Sequence, residues 1–333
     1  CWAWATVAPG FGVSGGYAAR PYPWHLQDPE AGLPGRRQIG RREAGPSGEE
    51  WPRSPDYVHS MDLDGARVLV TGGSRGIGAA LARAYAAAGA EVVVAARSEG
   101  DLRAVAEEVG GHAVVVDLSD PAAVEGLVPG VEADIGPIDV LVNNAGVETV
   151  DMAAVIDPVD VRTATRVNLE APMVLTRYAL PGMLERGRGH IVYLSSIAGS
   201  SGFPSMATYC ATKAGINGFV AALRMELKGT SIRTTLVAPG PVDTRMWDAI
   251  ENSSSASTQR VIDRLNLLRL TPKADPDRLA RRVVRATSRR TRHVRTPRRL
   301  SVNFMLGEAP QRMTEGLLLG VRLDPTDTRP DGA

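Results

Sequence analysis

The stretch Arg67-Val68-Leu69-Val70-Thr71-Gly72-Gly73-Ser74-Arg75-Gly76-Ile77-Gly78 decides how this chain folds. It opens with a β-type apolar run, continues through a glycine turn, and leads into an amphipathic helix from about Ile77 to Ala88. Glycines at such a turn let the chain reverse tightly, let the backbone approach a pyrophosphate, and let the helix pack close to the strand. The first N–H groups of the helix then face an anion. The spacing is Gly-x-x-x-Gly-x-Gly rather than the commoner Gly-x-Gly-x-x-Gly. Its place between a strand and a helix sets this turn apart from an ordinary glycine-rich loop.

Outward from this unit the pattern repeats. Strands are expected at Glu91–Ala96, Ala113–Val116, Ile138–Val142, His190–Ser195 and Ile232–Val237. Helices are expected at Leu102–Val109, Ala122–Val128, Asp160–Arg186 (interrupted near Pro181-Gly182) and Thr208–Leu227. Continuous β-branched strands alternating with helices imply an α/β fold, a doubly wound parallel sheet (Rossmann fold) covered on both faces. Ligands of such sheets bind beyond the carboxyl ends of the strands.

The expected organisation is a disordered or non-native extension at 1–60, a cofactor-binding and catalytic core at 61–244, a substrate lid and the end of the same domain at 245–300, and a C-terminal helical extension at 301–333. Residues 1 to about 60 are rich in Gly, Pro and Arg and have no apolar period. The first methionine is Met61, just before the first patterned strand, so Met61 is the expected physiological start; a functional disordered arm is the alternative. A formal net charge of +1 over 333 residues gives no argument for nucleic acid. Cys1 and Cys210 make neither a disulfide framework nor a metal site. No apolar run reaches eighteen residues. The expected location is cytoplasmic, with peripheral membrane contact as a further option.

Tyr209 and Lys213 stand four residues apart, on one face of the helix at Thr208–Leu227. A phenol with a pKa of roughly 10 is a poor acid or base near neutrality, and a neighbouring ammonium is expected to lower it. Ser196 follows the strand at His190–Ser195. After the second strand, Ala96 stands where an acidic residue would bind a ribose 2′-hydroxyl, and Arg97 and Arg75 reach toward the same corner. Two cations there suit a 2′-phosphate, or are merely solvated surface charges. Asp117 could accept from an adenine amino group, or cap the helix starting near Pro121. Asn143-Asn144-Ala145-Gly146 ends the fourth strand, where amides tie neighbouring loops together and small residues leave room. Asn168 lies within the following helix, a poor position for asparagine unless it has a task.

Together these residues resemble the short-chain dehydrogenase/reductase family. The resemblance runs from about Leu63 to Thr244 and rests on Thr71-Gly72-x-x-x-Gly76-x-Gly78, Asn143-Asn144-Ala145-Gly146, Asn168, Ser196, Tyr209-x-x-x-Lys213 and Pro239-Gly240-Pro241-Val242-x-Thr244. It implies a catalytic set of Asn168, Ser196, Tyr209 and Lys213. Tyr209 would be the proton donor or acceptor, Ser196 would bind the substrate oxygen, Lys213 would lower the tyrosine pKa, and Asn168 would anchor a water. It implies a cofactor site built from Gly72, Ser74, Arg75, Gly76, Ile77, Gly78, Arg97, Asp117, Asn144, Ala145, Gly146, Tyr209, Lys213, Pro239, Gly240, Val242 and Thr244. The implied cofactor is NADP(H), with NAD as the second choice, and no metal is expected. The implied activity is hydride transfer to or from a carbonyl or secondary alcohol of a moderately apolar substrate; a catalytically idle NADP-binding sensor or scaffold is the alternative. A homo-oligomer, dimer or tetramer, follows from the same likeness. Arg245 to about Leu270 reads as a mobile lid, Asp275–Ser288 as a helix and His293–Thr296 as a strand. The arginines from Arg281 to Arg299 read as a solvated basic face, or as a contact with an anionic membrane or acidic carrier.

Overall fold

Strand β1 (Arg67–Thr71) buries every residue but its first, and its side chains alternate between two cores. Val68 and Val70 enter one apolar cluster while Leu69 enters the other, as the two-residue period of a strand requires. The computed structural model describes residues 60–244, 246–248, 259–260, 263–264, 267 and 273–296. The expected extensions at 1–60 (but for Ser60) and 301–333, and most of the expected lid, lie outside them.

The remaining strands are β2 (Glu91–Ala96), β3 (His112–Val115), β4 (Val140–Asn143), β5 (His190–Leu194), β6 (Arg233–Pro239) and β7 (His293–Thr296). They form one seven-stranded sheet in the order β3-β2-β1-β4-β5-β6-β7, parallel at every pairing. Strand β7, expected at His293–Thr296 within the arginine-rich segment, pairs with β6 in the register Val237↔Val294.

One face is covered by α1 (Gly76–Ala86), α2 (Glu99–Val109) and a late helix, labelled α7 (Pro276–Ser288). The other face is covered by α3 (Pro121–Asp134), α5 (Ala171–Arg186) and α6 (Ala207–Glu226), with the short α4 (Pro158–Thr165) leading into α5. The order reverses between β1 and β4, which opens a crevice at their carboxyl ends. Among the described residues no helix is long and apolar enough to cross a membrane.

Two sequence expectations need correction. The helix is not interrupted at Pro181-Gly182: α5 runs through both. Proline removes one intrahelical donor, but Leu175, Ala179 and Met183 are fully buried against the sheet and hold the helix together. The irregularity lies earlier, in a π turn at Arg166–Glu170 that contains Asn168. Helix α3 also outruns its expected end at Val128 and continues through Pro129, because Val131 still packs into the core.

Helix α7 is joined to α1 by a buried hydrogen bond of 2.7 Å between the Tyr85 hydroxyl and Thr287 Oγ1. Thr287 also donates to Val283 O, so removing the phenol oxygen leaves no unsatisfied donor on its side. Tyr85→Phe is therefore expected to lower stability by only about 1 kcal/mol. Thermal unfolding should show a drop of about 2–4 °C. Asp275 caps α7, accepting from the N–H groups of Asp277 and Arg278. Along the exposed side of that helix run Arg278, Arg281, Arg285 and Arg289.

Candidate active site

The site is built at the carboxyl edge of the sheet, from the turn after β1. Gly72 has φ of +65°, and a Cβ there would lie 2.8 Å from Ala145 Cα. At Gly78 a Cβ would meet Gly72 O at 2.0 Å. Glycine is demanded at both positions by contact between the turn, the first helix and the loop after β4. Asn144 holds that contact: its Nδ2 donates to Thr71 O at 2.8 Å and Gly72 O at 3.2 Å. The Thr71 hydroxyl accepts from Asn144 N and Ala145 N, each at 3.1 Å. Asn143, by contrast, is buried with neither amide atom partnered among the described residues.

Helix α1 begins without a side-chain cap and without an acidic residue in its first turn. Its first N–H groups are therefore left for an external acceptor, and the fully apposed glycine backbone leaves space for it. These features fit a dinucleotide pyrophosphate. The Arg75 and Arg97 side chains are exposed at the same corner and, among the described residues, make no hydrogen bond. Asp117 does not cap the helix after it; that cap is Asp120, which accepts from Ala122 N. Asp117 instead accepts from the backbone N–H and hydroxyl of Ser119. Those bonds and the nearby Arg97 hold its carboxyl below the usual range against the opposing effect of burial.

On the far side of the crevice, Ser196 ends the segment after β5 and caps a short 3-10 turn (Ile197–Gly199), its Oγ accepting from Ala198 N at 3.1 Å. Its neighbour Ser195 is turned away, donating to Asn217 Oδ1 at 2.6 Å. Tyr209 and Lys213 lie on the buried side of α6, 8% and 4% exposed. Lys213 Nζ sits 5.6 Å from the centre of the Tyr209 ring and donates to Leu194 O at 2.9 Å. Gly146 faces this lysine: a Cβ on it would lie 3.5 Å from Nζ.

The expected acidification of the phenol is not what this geometry produces. Burial pushes Tyr209 up to about 12, and only the hydrogen bond from Ser196 pulls it down. Burial lowers Lys213 to about 8. Taking both groups out of water disfavours both charged forms, and this outweighs their mutual attraction.

Asn168, in the π turn, is 1% exposed rather than a surface residue. Its Oδ1 accepts from Val147 N and its Nδ2 donates to Val147 O, both at 2.8 Å; Nδ2 also reaches Thr212 Oγ1 at 3.2 Å. Both of its side-chain N–H groups are thus held by protein atoms, and the amide clamps the loop after β4.

One cavity of about 990 Å³ joins these parts. Every residue of the expected catalytic and cofactor-binding sets lines it except Asn168, which supports the wall from behind. Pro239, Gly240, Val242 and Thr244 close it from β6, and Thr244 Cγ2 comes within 3.3 Å of where a Gly76 Cβ would stand. Sequence reasoning missed Glu148, Ile197, Phe203 and Met206, which also line it. They lie on loops with no periodicity to mark which side chains turn inward. No cluster that could hold a metal ion is found among the described residues.

Fold and site together define a doubly wound α/β protein with a glycine turn facing a serine, tyrosine and lysine across one crevice. The family model for short chain dehydrogenases matches residues 66–255, and the chain belongs to the short-chain dehydrogenase/reductase family, whose members are NAD(P)-binding oxidoreductases of carbonyl and alcohol groups. The ketoacyl reductase HetN of Nostoc sp. is 36% identical over 237 residues, covering 70% of this chain and 78% of that protein. The 3-oxoacyl-[acyl-carrier-protein] reductase FabG of Escherichia coli is 33% identical over 198 residues, 59% of this chain and 81% of its own. The crystal structure of a metagenomic short-chain oxidoreductase in complex with NADP is 34% identical, with a TM-score of 0.57 over 71% of this chain and 97% of that one. A Burkholderia phymatum short chain dehydrogenase/reductase in complex with NAD, 24% identical, shares the fold, with a TM-score of 0.65 over 81% of this chain and 99% of its own.

Proposed function

We propose that this protein is an NADP(H)-dependent reductase of a carbonyl group on a moderately apolar substrate. The observation that carries the reading is the meeting of Ser196, Tyr209 and Lys213 in the cavity that begins at the glycine turn. Nicotinamide supplies the hydride when the cofactor is bound. Ser196 donates a hydrogen bond to the carbonyl oxygen and stabilises the charge growing there. Tyr209, protonated throughout the neutral range because burial holds it near 12, gives that oxygen its proton. Lys213 sits beside the resulting phenolate and stabilises it, and Asn168 keeps the cavity wall in register as a positioning residue. The names of HetN and FabG support a carbonyl substrate. A panel of ketones and alcohols followed by nicotinamide absorbance tests the proposal, and no turnover of any carbonyl would overturn it.

The cofactor preference rests on Arg75 and Arg97, exposed cations at the end of β2 and in the first turn, where Ala96 offers no carboxylate for a ribose hydroxyl. An arginine–phosphate contact contributes about 1.5–3 kcal/mol. Arg75→Ala combined with Arg97→Ala should therefore weaken NADPH binding by about 10²-fold or more and change NADH binding by less than about threefold. Fluorescence titration of both nucleotides reads this directly. A wild-type protein that binds NADH more tightly refutes the preference.

A further inference from the structure

We propose that Glu148 selects the substrate, favouring a carbonyl compound that carries a cationic or hydrogen-bond-donating substituent close to the reacting carbon and disfavouring anionic ones. This rests on the oxidoreductase reading above and names the substrate class of the same site.

Among the described residues, five charged side chains line the cavity: Arg75, Arg97, Asp117, Glu148 and Lys213. The first three belong to the glycine-turn end, beyond β1, β2 and β3. Lys213 is occupied by Leu194 O. Glu148 brings a negative charge to the wall that holds Tyr209, and among the described residues its carboxylate makes no hydrogen bond or ion pair. The same cavity is also lined by Val147, Leu194, Ile197, Phe203 and Met206. A partly buried carboxylate is unfavourable without a partner, and none of the described residues supplies one.

The backbone that carries this side chain is also held in place. The peptide before it is clamped by two 2.8 Å hydrogen bonds between Asn168 and Val147, and the residue after it, Thr149, is buried. Two residues upstream, Gly146 stands against Lys213 and Asn168. Glu148 is thus fixed on the same wall as the reacting groups, and its charge is felt at the Tyr209 hydroxyl, where it opposes ionisation. A substrate whose carbonyl oxygen meets Ser196 and Tyr209 presents its near substituents to this carboxylate. An ammonium or hydroxyl there gains a charge-assisted partner, whereas a carboxylate meets a like charge with little water between them.

Three aryl ketones of equal size, differing only in an ammonium, a neutral methyl or a carboxylate near the carbonyl, test this on the full-length protein with NADPH. Wild-type kcat/KM should fall in that order by about tenfold or more at each step. In Glu148→Gln the ratio between the ammonium and carboxylate ketones should collapse to within about threefold; using a ratio cancels any general change in activity. A wild-type ranking that is flat or inverted, or a ratio unchanged in Glu148→Gln, overturns the assignment of Glu148. Turnover of the neutral ketone with a flat ranking sinks Glu148 alone. If no ketone is turned over, the reductase reading fails, and titration calorimetry of the three ketones into both proteins judges Glu148 by the same ranking of affinities.

Discussion

Tyr209→Phe should lower the turnover number for ketone reduction by about 10²–10⁴-fold while NADPH affinity stays within about threefold of wild type. The substitution removes one oxygen from a ring that is already 8% exposed and packed on α6, so the fold has little reason to change. Ser196 keeps its bond from Ala198 N and remains able to meet a carbonyl oxygen. What disappears is the proton donor. The pH dependence adds a second signature. With the phenol near 12, the acid form predominates at every pH at which the enzyme is handled, so reduction does not wait on its ionisation. Alcohol oxidation requires the phenolate, and its rate should climb as pH rises toward that value; in Tyr209→Phe this climb should vanish. Steady-state rates in both directions, followed by nicotinamide absorbance, check both statements. Unchanged turnover in the variant would remove Tyr209 from the chemistry and leave an idle nucleotide-binding protein as the better reading.

Much of this site could be read from residue order because its parts obey local rules. The run Val68-Leu69-Val70 can only be a buried strand, and the glycines after it are demanded by contacts as short as 2.0 Å that any side chain would destroy. Spacing of four on a helix brought Tyr209 and Lys213 to one face without knowledge of the rest of the molecule. What stayed hidden depends on contacts between distant segments. Asn168 and Val147 are separated by 21 positions, and nothing in either neighbourhood announces that one clamps the other. Pro181 carries a strong local signal for a break, yet the buried face of α5 overrides it. Glu148 lies on a loop, where the alternation that reveals inward-facing residues in strands does not apply. The sequence also misleads on electrostatics: a lysine beside a tyrosine suggests an acidic phenol, but the direction of the shift follows from burial, which only the packed structure reveals.

That burial makes the active-site lysine a thermodynamic burden, and Lys213→Met should expose it. An ammonium lowered from 10.5 to about 8 on folding destabilises the cofactor-free native state by about 3 kcal/mol below pH 8. The sign follows from proton counts. Between about pH 8 and 10.5 the unfolded chain holds a proton on this lysine that the folded chain has released, so stability rises with pH across that window. Methionine fills similar space without charge, although it forfeits the bond from Nζ to Leu194 O, worth about 1–2 kcal/mol. At pH 7 the variant should therefore be more stable than wild type by about 1 kcal/mol, or about 2–4 °C in melting temperature. Above pH 10.5 the burden is gone, only the lost hydrogen bond remains, and the order of the two proteins should reverse. Over the same substitution, ketone turnover should fall by about 10²-fold or more, since the phenolate formed in each cycle loses its neighbouring cation. Thermal unfolding of both proteins at pH 7 and pH 10.5 without cofactor, together with turnover at pH 7, tests the pair of statements. A variant less stable than wild type at both pH values would mean that Lys213 is not held against its own desolvation. The combination of a gain in stability with a loss of activity is the expected signature of a residue kept for chemistry at the expense of the fold.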